Sequence, residues 1–144
     1  MATADVNFEL DIPASEAWDL IADFGAPERI APGFVRACEL AGDERLVTFQ
    51  SGVIARERLI TRDPARRRLT YSVVGGRFEH HNASMQVMPL GRSRSAVRWT
   101  ADLLPDDLGP AIQSMMEEGA RAIVAEQQRQ VDASGDPPRQ RWFS

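Results

Sequence analysis

The segment 108–130 constrains the fold of this chain more than any other stretch. Its apolar residues recur at steps of three and four and share one helical face: Leu108, Ile112, Met115, Met116, Gly119, Ala122 and Ile123. Polar residues fall on the opposite side: Gln113, Glu117, Arg121 and Gln128. A long helix with one apolar face has to bury that face against other elements. We therefore expect it to pack on a sheet, with any functional site lying between the two.

The chain before this helix is typical of strands joined by short turns. Apolar and polar residues alternate over residues 6–12, and two short helices are predicted at 16–24 and 27–30. Six further strands are predicted at 35–40, 46–50, 53–61, 68–74, 81–88 and 96–103. Because connections of a few residues join antiparallel neighbours, the strands form one antiparallel sheet, with the first beside the last. The order predicts an α+β fold in which a curved seven-stranded sheet wraps around the long helix.

The length of 144 residues predicts a single domain, which we place at residues 1–132. Residues 133–144 are rich in Gly, Pro and charge, and we expect a flexible tail. Trp142 and Phe143 leave two interpretations of this tail open, a frayed end or a segment docked on a neighbouring surface.

Composition argues against several classes of partner. A net charge of −4 and a pI near 5.2 disfavour nucleic acid and anionic membrane, which both reward a basic surface. No apolar run approaches the roughly 20 residues of a membrane span, and the N-terminus does not resemble a signal peptide. The single Cys38 cannot form an intramolecular disulfide, which fits a reducing compartment, so we expect a cytoplasmic protein.

The sequence also lacks the common motifs for metals and cofactors. His80 and His81 are adjacent but have no third ligand at a usable spacing, so we expect no metal site. No Gly-rich phosphate loop, dinucleotide fingerprint, nucleophile elbow or paired cysteines occur, and the chain has no lysine for a Schiff base. We therefore expect no cofactor.

Three segments carry a family resemblance: GVIARERLITRDPARRRLTYSVVGG, HHNASMQVMP and SAVRWTADL. The shared features are Glu57-Arg58-Leu59, Asp63, Tyr71, Gly75-Gly76, Trp99 and the helix glycine Gly119. With these features the chain resembles the START-like (SRPBCC) superfamily, in particular its polyketide cyclase/dehydrase-type branch. It is also similar to plant abscisic-acid receptors and birch-pollen-allergen-like proteins.

The resemblance implies a helix-grip fold with an apolar internal cavity for a small polyketide, aromatic, terpenoid or lipid-like molecule. Two functions stay open: a cyclase or lyase that uses acid–base chemistry without a cofactor, and a carrier or sensor without chemistry. An interaction protein of the same fold is a third alternative, and both a monomer and a homodimer are compatible with the sequence.

His81 is the first candidate for a functional residue, because it shares strand parity with the apolar Ala83, Met85 and Val87. By resemblance it stands where relatives often place a cavity tyrosine. An imidazole there could transfer protons near neutral pH. The alternative is a histidine that is hydrogen-bonded at the sheet edge.

Glu57 is the second candidate, and here periodicity cannot choose a face because both parities carry charge. The resemblance points its carboxylate into the cavity, as a general base or a ligand contact, beside Tyr71, which could orient a carbonyl group. The alternatives are a salt bridge from Glu57 to Arg77 or Arg98, and a core role for Tyr71.

The remaining predicted site residues would contact the ligand, with Arg98 polarising its oxygen. The predicted wall consists of Trp18, Ala83, Met85, Trp99, Met115, Met116, Gly119 and Ile123. Methionines give such a wall an adaptable surface. The alternative is that these residues only fill the core.

Overall fold

The computed structural model describes residues 1–134, so Trp142, Phe143 and nearly all of the predicted tail lie outside the described residues. The chain begins with β1 (Ala2–Leu10), α1 (Ala14–Ala22) and α2 (Pro27–Ile30). The strands β2 (Val35–Ala41), β3 (Glu44–Phe49), β4 (Ile54–Asp63), β5 (Arg68–Val73), β6 (His80–Pro89) and β7 (Ser95–Leu104) follow. A 3-10 turn (Asp106–Leu108) leads into the long helix α3 (Gly109–Ala133).

All seven strands form one antiparallel sheet in the order β1-β7-β6-β5-β4-β3-β2. The predicted α+β helix-grip architecture is confirmed, including the first strand beside the last. β1 starts four residues earlier than predicted, because Ala2 and Ala4 pair with Leu103 and Ala101 of β7. Alanine is a weak hydrophobic signal, so this extension of the strand was hidden in the sequence pattern.

Helix α3 lies on the concave side of the sheet and packs most closely on β1. The side chain of Gln113 bonds both backbone groups of Asp5, accepting from its N–H at 2.9 Å and donating to its carbonyl at 3.0 Å. Gln113 was predicted on the solvent side, but this pair of bonds instead attaches the helix to the edge strand. The edge strand thereby gains partners for a backbone N–H and C=O that the sheet leaves unpaired.

Gly119 is the point where α3 approaches the sheet most tightly. A Cβ atom at this position would lie 3.0 Å from the rings of Phe34 and Trp99. The absence of a side chain therefore lets the helix backbone pass directly over two aromatic rings.

None of the helices in residues 1–134 is long and apolar enough to span a membrane. Within the same residues, no group of three or more His, Cys, Asp and Glu side chains is arranged to hold a metal ion.

Candidate functional site

A cavity of about 740 Å³ lies between the concave face of the sheet, the helices α1 and α2, and α3. Seven of the predicted wall residues line it: Ala83, Met85, Trp99, Met115, Met116, Gly119 and Ile123. The wall also contains apolar residues that sequence reasoning did not select, such as Leu20, Phe34, Phe49, Leu69 and Phe78. These five residues come from three elements and two loops far apart in the chain, so no local pattern connects them.

Two predicted site residues do not line this cavity. Trp18 is buried in the core, but its side chain does not reach the cavity wall. Arg98 lies on the outer face of the sheet, where it is 58% exposed and pairs with Asp5 at 3.4 Å. Because successive residues of a strand face opposite sides, the inward ring of Trp99 places the neighbouring Arg98 outside. The prediction that Arg98 polarises a ligand oxygen is therefore wrong.

Glu57 points into the cavity and carries an ion pair. Its carboxylate Oε1 accepts a hydrogen bond from Arg45 Nε at 2.8 Å and lies 2.7 Å from Arg45 Nη2. Both side chains are buried, at 10% exposure for Arg45 and 8% for Glu57. The structure thus contains the salt bridge that was the alternative for Glu57, although with Arg45 and not with Arg77 or Arg98.

Arg45 is the functional candidate that sequence reasoning missed, because the predicted β3 began one residue after it. Its guanidinium also donates from Nη1 to the Phe24 carbonyl at 2.9 Å. The same group lies 4.1 Å from the centre of the Phe24 ring and 5.4 Å from that of Tyr71. The sequence did contain a signal for Arg45. In the hairpin of β3 and β4, counting outwards from the turn at residues 50–52 places Arg45 directly opposite Glu57.

Tyr71 lies diagonally across the β4–β5 pair from Glu57, on the same face. Its hydroxyl accepts a hydrogen bond from Trp99 Nε1 at 3.0 Å and keeps its own proton for another acceptor. Burial, followed by the negative charge of Glu57, raises the pKa of Tyr71 above its usual value. The phenol is therefore a hydrogen-bond donor towards the cavity over the whole physiological pH range.

His81 is buried on the same wall, beside Tyr71 and in edge-on contact with Phe78, whose ring centre is 4.9 Å away. Its Nδ1 accepts a hydrogen bond from the Val73 N–H at 3.0 Å. Burial, and to a smaller degree the neighbouring charge of His80, lowers the pKa of His81 to about 4. The imidazole is thus neutral at pH 7, and because Nδ1 is the acceptor, its proton is on Nε2.

The lowered pKa of His81 predicts a loss of stability in mild acid. An unfolded chain binds a proton at this residue below about pH 6.5, whereas the folded chain resists it down to about pH 4. Between about pH 7 and about pH 5 the free energy of unfolding should fall by about 2 kcal/mol on this account. Urea unfolding of His81→Asn and the exposed control His80→Asn checks this. The first variant should lose that part of the pH dependence and the second should keep most of it, because burial is the larger cause of the lowered pKa. Equal profiles would contradict the assignment.

Glu57, Tyr71 and His81 therefore form one polar cluster on an otherwise apolar inner wall. The cluster presents one carboxylate acceptor, Glu57 Oε2, which receives no hydrogen bond from the described residues. It also presents two donors, the Tyr71 hydroxyl and His81 Nε2–H. This arrangement can hold the oxygen atoms of a ligand, and it can move a proton between the carboxylate and a ligand carbon or oxygen.

Comparisons with known proteins agree with this architecture. The family model described as "Polyketide cyclase / dehydrase and lipid transport" matches residues 1–133. A comparison with curated proteins found no match.

Many solved structures share the fold. An uncharacterized protein from Bacillus thuringiensis is 18% identical with a TM-score of 0.80, over 88% of this chain and 99% of that chain. A START superfamily protein from Mycobacterium smegmatis is 16% identical with a TM-score of 0.72, over 90% and 99%. The di-domain ARO/CYC protein BexL of the BE-7585A biosynthetic pathway is 20% identical with a TM-score of 0.71. That match covers 95% of this chain and 48% of BexL. At these identities the likeness concerns the fold alone.

Proposed function

Because this chain belongs to the polyketide cyclase/dehydrase and lipid transport family and has a START-like fold, we propose that it binds a small hydrophobic molecule in its internal cavity. The observation that carries the proposal is an apolar cavity of about 740 Å³ with a polar cluster on one wall. Protein interiors are packed like organic crystals, with few voids larger than a water molecule. An apolar space of this size is costly unless a ligand fills it, and it falls within the range of small-molecule sites, about 300–1,000 Å³.

The composition of the wall supports a ligand of irregular shape. Met85, Met115 and Met116 reach the cavity from two opposite sides, and their flexible thioether chains adapt to different surfaces. The polar cluster of Glu57, Tyr71 and His81 would orient such a ligand through its oxygen atoms.

A cyclisation with loss of water is the second candidate, favoured by Oε2 of the cavity-lining Glu57, which receives no hydrogen bond from the described residues. In this reaction Glu57 takes a proton from the carbon next to a ligand carbonyl, while Tyr71 and His81 donate hydrogen bonds to the carbonyl oxygen. The resulting carbanion attacks a second carbonyl carbon of the ligand and closes the ring, and Glu57 returns the proton to the new alkoxide. Glu57 then removes a second proton from the same carbon and transfers it to the new hydroxyl group, which leaves as water. Each atom and proton is accounted for within the ligand and these side chains, so the step needs no cofactor.

Native mass spectrometry after incubation with a linear aromatic polyketone tests both candidates. We expect one ligand per chain, and we expect Met115→Trp to reduce its binding about tenfold or more because an indole would fill part of the cavity. Glu118→Trp, on an exposed position of the same helix, is the matched control and should bind like the wild type. Recovery of the ligand at unchanged mass supports a carrier, and loss of water supports the reaction. Equal binding by the Met115 variant would refute a site in this cavity.

A further inference from the structure

We propose that the ion pair between Arg45 and Glu57 makes the cavity selective for uncharged ligands that carry a hydroxyl group and excludes carboxylates. This inference rests on the proposed ligand-binding function and concerns the chemical class of the ligand. The selectivity depends on which polar atoms of Arg45 and Glu57 already have hydrogen-bond partners in the protein and which remain for a ligand.

All three nitrogens of Arg45 are engaged within the protein. Nε and Nη2 bind Glu57 Oε1, and Nη1 binds the Phe24 carbonyl. The guanidinium carbon also lies over the rings of Phe24 and Tyr71, 4.1 Å and 5.4 Å from their centres. A carboxylate ligand normally binds arginine through two parallel N–H groups, and here the Nε/Nη2 edge faces Glu57 while one N–H of Nη1 is used by the Phe24 carbonyl.

Glu57, in contrast, keeps a hydrogen-bond acceptor that a ligand can use. The hydrogen bond from Arg45 goes to its Oε1, and no described residue donates a hydrogen bond to Oε2. The carboxylate is buried, so the polar group that the pair presents to a ligand is an acceptor with negative character. A ligand hydroxyl can donate to Oε2 and can accept from Tyr71 or from His81 Nε2–H. A ligand carboxylate would place a second negative charge beside Glu57 in a medium of low dielectric constant.

The other charged residues around the cavity lie at its mouth, where water screens them. Arg56 is 61% exposed and lies 3.5 Å from Glu44, and Asp23 pairs with Arg29 at 3.2 Å. Arg77 is exposed on the loop between β5 and β6. Because these charges are hydrated, the charge preference of the inner cavity is set by Arg45 and Glu57.

Displacement of the neutral fluorescent probe N-phenylnaphthylamine tests the proposal. The competitors are decanol, methyl decanoate and decanoate, which share one chain and differ in the head group, at about pH 8 where the acid is ionised. For the wild type we expect decanol to bind most tightly and decanoate at least about tenfold more weakly. In Glu57→Gln, Arg45 loses its carboxylate partner, so decanoate should gain about tenfold and decanol should lose affinity.

Two further variants separate this effect from a general disturbance. The double variant Arg45→Gln/Glu57→Gln removes both charges. It should therefore not show the gain in decanoate affinity expected of Glu57→Gln, and it should bind decanol and methyl decanoate equally. It also provides the measurement if Glu57→Gln does not fold. Asp5→Asn breaks an ion pair on the outer face of the sheet and should keep the wild-type order.

The outcomes are distinct. Failure of the wild type to bind the probe and all three competitors would refute the proposed ligand-binding function. If the competitors bind but decanoate binds as tightly as decanol, the selectivity is overturned while the proposed ligand binding stands. The same conclusion follows if Glu57→Gln leaves the order of the competitor affinities unchanged.

Discussion

Replacing Arg45 with methionine should lower the free energy of unfolding by about 3–5 kcal/mol. The variant keeps most of the apolar stem but leaves the Glu57 carboxylate buried without its partner, and the Phe24 carbonyl without its donor. Removing one member of a buried ion pair is more costly than removing both, since the remaining charge stays desolvated. Urea unfolding followed by tryptophan fluorescence measures the loss.

Two variants test the cause of this loss. The double variant Arg45→Met/Glu57→Leu should recover most of the stability, because no unpaired charge remains. Arg98→Met breaks an exposed pair on the outer face and should cost less than about 1 kcal/mol. A cost below about 1 kcal/mol for Arg45→Met itself would show that the pair does not support the fold.

Replacing Gly119 with valine should lower the free energy of unfolding by about 2–3 kcal/mol. The new Cβ would lie 3.0 Å from Phe34 Cε2 and from Trp99 Cζ3, and its two methyl groups would lie beyond it. Both rings are buried, and Trp99 is further held by its hydrogen bond to Tyr71, so neither can move aside without disturbing the cavity wall. The helix would instead be displaced from the sheet.

Helix propensity has to be separated from the steric effect in this comparison. Glu118→Val places the same residue at the preceding, exposed position of α3 and reports the intrinsic cost of valine in a helix, which is a few tenths of a kcal/mol. A Gly119→Val variant as stable as the Glu118→Val variant would contradict a close approach at this point. Probe binding should also weaken in Gly119→Val, because the displaced helix forms one wall of the cavity.

Much of the fold was predictable because it depends on local periodicity. Alternating residues in β6 and β7 identified the buried faces of both strands, and they placed His81 and Trp99 on the cavity side. The short turns required antiparallel neighbours, and the apolar face of α3 required a sheet to cover it.

For two of the errors the local pattern already held the answer, whereas for the third local spacing could not define the environment of the side chain. Arg98 was placed in the site on chemistry alone, although the parity of Trp99 already pointed it outwards. Trp18 has the right helical spacing for a buried residue, but spacing does not distinguish the core from a cavity wall. Arg45 was missed because the predicted strand began one residue after it, although counting outwards from the hairpin turn pairs it with Glu57.

The sequence by itself determined the elements, the antiparallel order and the inward face of most strands, because each follows from periodicity and turn length over a few residues. Only the tertiary structure decided the chemical state of the site. Burial holds His81 neutral with its proton on Nε2, and a cross-strand arginine takes one oxygen of Glu57 while leaving the other towards the cavity. Desolvation and hydrogen bonding act between groups that are distant along the chain, so protonation and charge pairing depend on the folded arrangement.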